Sequence, residues 1–521
     1  MKQFIKNHAE QVMGTLSGLD RLRLRGTIRW LASRDGMATF LGTMGVLLKD
    51  FKSYAQAITE AARGYAQQLA EEARRPYCYL ASSRQSKEEL AREWAQRDRI
   101  EEGLIVIFRC VEPCWSYQVV RNPEKKMLEL RGGPAKCLHL YFYFLDRVLG
   151  LMHLRLQTWF PFTIQVCLNG REWLARSLDA QGIGYLRRAN CLVDVEDFAA
   201  AQRLLDGQLR TDWVKLLGGQ AARCFPLHQK LWAGRPLDYY WSAEESEWAT
   251  DVAFRSPEAL AALYPGLVRH GIETFSSVDV MRFLGRKTPA SGQVHGRFSG
   301  EVTSDVRRRE EGVRIKHRLN SNSIKMYDKQ GSVLRVETTI NDARDIKVYR
   351  AIEGDPNGPQ AWRRLRKGVS DLHRRTQVSQ AANERYLDAL GAAAQTTSLG
   401  ELAEQVTRRV TWQGRPVRGL NPLAGQDAAL LTAVSRGEFT IHGFRNRDLR
   451  AILYPTGSSP TERRTQAGKI TRQLRMLRAH GLIKKVPKTH RYVLTDRGRI
   501  TIIALLTARQ ADTKKLNQLA A

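Results

Sequence analysis

The sequence predicts an α+β multidomain fold. Residues 1–100 read as a helical N-terminal region, and 101–290 as an α/β region with antiparallel strands and helices. Residues 313–412 read as a β-hairpin unit plus basic helices, and 427–521 as a winged helix. Three observations predict this. Apolar-rich runs alternate with a period of two over 104–168 and again over 313–340. Helical periodicity marks the stretches around them. The C-terminal segment orders a basic helix, a glycine stop and a short hairpin. A chain of 521 residues is long enough for about three domains with their own cores.

In the N-terminal region, residues 44–73 and 87–100 have helical spacing, and Ser86 is placed to cap the second helix. Arg21, Arg23, Arg25 and Arg29 form an early basic cluster, for which a solvated face is a sufficient explanation. From Leu104 the pattern turns to strands: 104–110, 116–120, 138–144, 151–158 and 163–168. Asn169-Gly170 turns into a helix over 172–181. Helical spacing resumes after Phe198 through Leu217, and from Pro257 to Leu284. A polar stretch over 288–312 reads as flexible. Strands are expected over 313–319, 323–328 and 332–340, the last two joined by a turn at Lys329-Gln330-Gly331. Residues 362–412 read as helical, and residues 413–426 as a linker.

The C-terminal helix follows from geometry. Ile470, Leu474 and Leu477 share one face by their spacing. Arg464, Thr465, Lys469, Arg472, Arg475 and Met476 fall on the opposite arc, which suits a groove lined by phosphates. Gly481 stands where a helix C-terminus needs a left-handed residue. A hairpin over 482–486 and 491–494 follows, with Lys488 and Arg491 as further cations. Residues 428–435 and 446–453 read as the two preceding helices. Thr495 can cap a last helix reaching about Lys515. Segment 427–521 holds nineteen Lys and Arg against six Asp and Glu.

Charge narrows the partner. The formal net charge is +30, which calls for a polyanion. Hydrophobic content of 43% and charged content of 26% are those of a folded chain. No apolar run of about 18 residues is present, and the N-terminus lacks a secretory signal, so a cytoplasmic protein with no membrane partner is expected. Seven scattered cysteines do not form a disulfide framework. Motifs for P-loop ATPases, dinucleotide binding, zinc proteases and serine hydrolases are absent.

Three constellations could carry chemistry. Strand alternation puts Ile324, Met326, Leu334, Val336, Thr338 and Ile340 on one face of the central hairpin, and Lys325, Tyr327, Lys329, Arg335, Glu337 and Thr339 on the other. The second face reads as a phosphate-docking surface with Tyr327 stacking a base. A solvated face is one alternative. A catalytic face with Glu337 as metal ligand or general base is another. Arg155, Arg363 and Arg364 are further candidate nucleic-acid contacts. His139 and His153 alternate with apolar residues on neighbouring strands and could join Glu337 around a divalent ion. Cys110, Cys114, Cys137 and His139 could instead hold zinc, with buried thiols as the plain alternative.

Leu474-Arg-Met-Leu-Arg-Ala-His-Gly-Leu482 and Arg491-Tyr-Val-Leu-Thr-Asp-Arg-Gly498 resemble the winged-helix domains of MarR-like regulators. Leu154-Arg-Leu-Gln-Thr-Trp-Phe-Pro161, Asn169-Gly-Arg-Glu-Trp173 and Arg335-Val-Glu-Thr-Thr-Ile-Asn341 are similar to strings in uncharacterised bacterial proteins labelled MarR-like. Asn322-Ser-Ile-Lys-Met-Tyr-Asp-Lys329 with Leu334-Arg-Val-Glu337 resembles a hairpin of rolling-circle replication initiators. Those enzymes nick DNA with a tyrosine and a metal; their two-histidine motif is absent here. The expectation is a multidomain nucleic-acid-binding protein of a mobile genetic element. It recognises DNA through the winged helix and grips a second DNA or structured RNA segment on the central sheet. One alternative is a nicking initiator or transposase-like nuclease using Mg or Mn. The other is a MarR-like regulator with a large sensing region.

Overall fold

A computed structural model describes residues 1–80, 85–226, 238–286, 301–309, 312–344, 346–352, 355, 357–391, 399–439, 443–455, 459–487 and 489–511. The fold is mixed α/β. It divides into two compact units: residues 18–247 with 367–373, and residues 1–17 with 248–366 and 374–521. Among the described residues no helix is long and apolar enough to cross a membrane.

The first unit is built on strands β1 (Val12–Ile28, from residue 18 onward), β2 (Tyr77–Tyr79), β3 (Gly103–Asn122), β4 (Met127–Asp146), β5 (Gly150–Gln157) and β6 (Ile164–Asn169), with a small hairpin of β7 (Tyr185–Arg188) and β8 (Cys191–Val195). Its sheet runs β1-β6-β5-β4-β3-β2, antiparallel except for the last pair. The expected runs 104–110 and 116–120 are one strand. Among the described residues β2 pairs only with residues 107–109, so Pro113 sits beyond its reach. There β3 is an edge, and an edge tolerates a residue without an N–H.

The helical reading of residues 1–100 is half right. Helices Phe51–Glu72 and Lys87–Arg97 are present, the second capped by Ser86, which accepts from the Glu89 N–H. Val12–Ile28, however, is a strand of 17 residues. Its signal was period-two alternation: Leu22, Leu24 and Ile28 are buried, while Arg21, Arg23 and Arg25 alternate with them. Helix Gly170–Gln181 starts against β1, and Asn169 caps it by accepting from the N–H groups of Arg171 and Glu172. Gly170 is required there, since a Cβ would meet the Leu19 carbonyl oxygen at 2.1 Å.

The second unit carries the 248–254 part of β9 (Tyr239–Phe254), then β10 (Val302–Arg309), β11 (Gly312–Leu319), β12 (Asn322–Lys329) and β13 (Val333–Ile340). They pair in the order β10-β11-β12-β13-β9. Part of the stretch expected to be flexible is therefore strand β10; residues 287–300 and 310–311 lie outside the described residues. Ile324, Met326, Leu334 and Val336 pack in one core with Leu260, Leu267, Tyr386 and Leu390 of helices Pro257–Glu273 and Leu372–Gly391. Residues 362–412 are not wholly helical. They finish a hairpin, β14 (Lys347–Arg350) with β15 (Ala361–Arg364), before helices Leu372–Gly391 and Leu399–Thr407.

A further hairpin, β16 (Val410–Trp412) with β17 (Arg415–Val417), occupies what reads as linker. Leu420 is buried in the same core as Leu430, Phe444, Leu449, Leu474, Leu482 and Leu505, so residues 413–426 are not a free tether. That core gathers helices Gly425–Val434, Asn446–Leu453, Pro460–Ala479 and Asp496–Gln510, and the hairpin β18 (Ile483–Lys485) with β19 (Tyr492–Leu494). The expected end near Lys515 lies outside the described residues.

Candidate nucleic-acid interface

Helix Pro460–Ala479 begins earlier than its apolar spacing indicates. Ser459 accepts from the Glu462 N–H, the Glu462 side chain accepts from the Ser459 N–H, and Pro460 occupies the first turn. Such a box satisfies two N–H groups that the helix leaves open. Ile470, Leu474 and Leu477 are buried, as the spacing requires. Met476, expected on the opposite arc, is buried with them: the core beneath this helix is wider than a three-residue stripe. Gly481 closes the helix at φ +70°.

Arg464, Lys469 and Arg472 are exposed. Among the described residues none of the three has an ion-pair partner. Arg475 is half-buried instead. Its guanidinium lies 5.8 Å from the centre of the Trp412 ring, and that of Arg478 lies 4.9 Å away. The β16–β17 hairpin and this helix border a groove of about 650 Å³, lined by Arg415, Arg418, Lys469, Arg472 and Arg475 with no carboxylate in its wall. Arg418 is spoken for, since it pairs with Asp427 at 2.7 and 2.8 Å.

Ile483 pairs with Leu494 and Lys485 with Tyr492 across the hairpin. Phe444, just before helix Asn446–Leu453, bridges to Tyr492 and adds a third edge. Lys484 and Lys485 are exposed, while Lys488 lies outside the described residues. The Arg491 guanidinium sits 4.1 Å over the Tyr349 ring on β14. The structure thus joins Arg491 to the hairpin that carries Arg363 and Arg364. On that hairpin Lys347 stands opposite Arg364. Like charges facing each other across a strand pair are unfavourable without an anion nearby. Sequence reasoning missed Lys347 and Arg415; each lies on a short strand that composition alone does not reveal.

The central hairpin keeps the expected alternation but not the expected exposure. Lys325 pairs with Glu337 and Tyr327 with Arg335 across β12 and β13. Tyr327, Lys329, Arg335, Glu337 and Thr339 are all buried. Arg335 holds Asp251 through two hydrogen bonds of 2.6 and 2.9 Å. Glu337 accepts from Lys325 Nζ at 2.5 Å and from the Tyr327 hydroxyl at 2.9 Å. Burial pushes the Glu337 carboxyl up, but Lys325, Arg335 and the Tyr327 hydroxyl outweigh it and hold it low. A carboxylate so stabilised is a weak base at neutral pH. Lys325, Tyr327 and Arg335 therefore sit inside a neutralised, buried network, where the expected docking surface needs open cations.

In the other unit, His139 and His153 do not face each other: His139 pairs with Gln157, and His153 with Tyr143. Burial and the charge of Arg155 push His139 down to about 4; burial with Arg23 and Arg21 pushes His153 down to about 3. Both are neutral at pH 7. Arg155 is bound to Glu112 at 2.9 Å, and Tyr141 and Lys87 reach the same carboxylate at 2.7 and 3.1 Å. Glu112 was not singled out in the sequence, because nothing local marks its three partners. Cys114 Sγ lies 3.2 Å from Cys137 Sγ, which is 3.9 Å from His139 Nδ1. Cys110 packs in the apolar cluster with Phe108 and Tyr143. No three donor atoms of Cys110, Cys114, Cys137 and His139 come within 4.8 Å of one another.

Compared with family models, with curated proteins and with solved structures, the chain finds no match.

Proposed function

We propose that this protein binds nucleic acid, and duplex DNA in particular, through residues 425–510 acting as a winged helix. The order of helix, bridging residue, helix, helix and two-stranded hairpin supports that reading. The observation that carries it is the division of helix Pro460–Ala479. One face closes a core, while the other exposes Arg464, Lys469 and Arg472 with no ion-pair partner among the described residues. Unpaired cations on a rigid helix gain from releasing counterions of a phosphate backbone. The hairpin β18–β19 is the wing, and Lys347, Arg364 and Arg491 extend the basic surface beside it. The MarR-like resemblance of the same residues points the same way.

The test is fluorescence anisotropy of the full chain with labelled duplex DNA over a range of salt. Arg464→Ala with Lys469→Ala and Arg472→Ala is expected to weaken binding at least about tenfold and to flatten the salt dependence. Unchanged affinity and slope overturn the assignment. Tighter binding of duplex RNA than of duplex DNA overturns the choice of partner.

A further inference from the structure

The second unit contains a cavity of about 230 Å³ whose wall is both apolar and cationic. Phe283, Val434, Phe439, Val493, Leu494 and Ile503 supply the apolar part. Lys2, Arg282, Arg385, Lys484 and Arg499 supply the charge, against Asp279 alone in the wall. Arg282 and Arg385 are each only 5% exposed.

These two arginines are incompletely satisfied. Arg282 reaches Asp279 through Nη1 at 3.2 Å, but its Nε and Nη2 have no hydrogen-bond partner. Arg385 donates one Nη2 bond to the Phe283 carbonyl, and its Nε has none. Buried guanidinium donors are ordinarily filled, because an open one forfeits its hydration without replacement. Nearby carboxylates do not close the balance. Asp388 is shared between Arg499 at 3.2 Å and the N-terminal ammonium at 2.5 Å. The charge of Glu384 acts on Arg385 too weakly to offset burial and Arg499. Burial, then repulsion from Arg499, push the Arg385 guanidinium down to about 9. Burial also lowers Arg282, and Asp279 only partly offsets it.

We propose that this cavity binds a small doubly charged oxyanion of the phosphate class, with Arg282 and Arg385 as its principal donors. Guanidinium forks match the oxygens of such a head group. A dianion answers a surplus greater than one charge, which a single carboxylate leaves incompletely neutralised. The volume is below the range of about 300–1,000 Å³ typical of drug-sized ligands, so the ligand is inorganic phosphate or a short phosphomonoester. The apolar wall excludes water and strengthens each charged contact. Lys484, Val493 and Leu494 belong to the β18–β19 hairpin, so the ion braces that hairpin against helices Ser277–Phe283 and Leu372–Gly391. The site requires no DNA and stands whether or not the hairpin touches one.

The experiment is calorimetric titration of the full chain, freed of phosphate and sulfate, with inorganic phosphate. A second arm uses methyl phosphate, and chloride at matched ionic strength is the control. One saturable event per chain is expected in at least one phosphate arm. Which arm binds more tightly identifies the source of the head group. Arg282→Gln and Arg385→Gln are each expected to weaken it about tenfold or more, the usual cost of losing charged hydrogen bonds. Phosphate is also expected to raise the melting temperature of the wild-type chain well beyond that of either variant. Should Arg385→Gln fail to fold, Arg282→Gln decides. Heat no greater than chloride produces, or equal binding by a folded variant, overturns the proposal.

Discussion

Two cationic surfaces of the same unit have similar composition and opposite character. The helix Pro460–Ala479 holds Arg464, Lys469 and Arg472 in the open, with no ion-pair partner among the described residues. The face of β12 and β13 holds Lys325 and Arg335 matched to Glu337 and Asp251, with all but the half-buried Lys325 fully buried. The difference teaches that a basic residue signals a polyanion only when its surroundings leave the charge unpaid. On the helix, one turn of spacing separates cation from core, so the cations face water. On the sheet, both faces pack inward, and Lys325 and Arg335 are each held by a carboxylate at hydrogen-bond distance.

Breaking the buried side should have the largest effect. Arg335→Ala leaves Asp251 buried without its partner and is expected to cost about 3–5 kcal/mol, read by chemical denaturation. Arg335→Met with Asp251→Leu should recover most of that loss. A cost below about 1 kcal/mol for the single change would mean that the pair is solvated.

Opening the exposed side should leave the fold alone. The triple change at Arg464, Lys469 and Arg472 is expected to alter stability by no more than about 0.5 kcal/mol while DNA affinity falls. Within that helix the groove sharpens the contrast further. Arg472→Ala should reduce affinity more than Arg475→Ala, because Arg475 lies against Trp412. Equal losses would place Trp412 away from Arg475 in the DNA-bound state.

Removing the N-terminal box by Ser459→Ala should destabilise the helix by about 1 kcal/mol, read as faster amide exchange in its first turn. The smallest effect on binding is expected at Glu337. Its carboxyl is held below its unfolded value. Its contribution is therefore present above the unfolded pKa and lost as pH falls through the folded one. Glu337→Gln should flatten the acid limb of the stability profile below about pH 4.5. DNA affinity at pH 7 should stay within about twofold, since the group is buried and paired. A large change in affinity would show that the sheet face takes part in binding.

What could be read without coordinates was local. The helix face of Ile470, Leu474 and Leu477, the stop at Gly481, the caps at Ser86 and Thr495 and the pairing of β12 with β13 all follow from rules that span a few residues. The strands β1 and β9 were legible in principle through alternation, but their charged and small residues masked it. Tertiary structure alone decided the rest. It brought Arg335 to Asp251 across 84 positions and set Arg385 against the Phe283 carbonyl across 102. It also buried the second face of the central hairpin and stacked Trp412 under Arg475 and Arg478. Backbone propensity and side-chain periodicity act along the chain, so sequence determines them. Burial and the choice of counterion are set by distances through space, and only the folded chain fixes those.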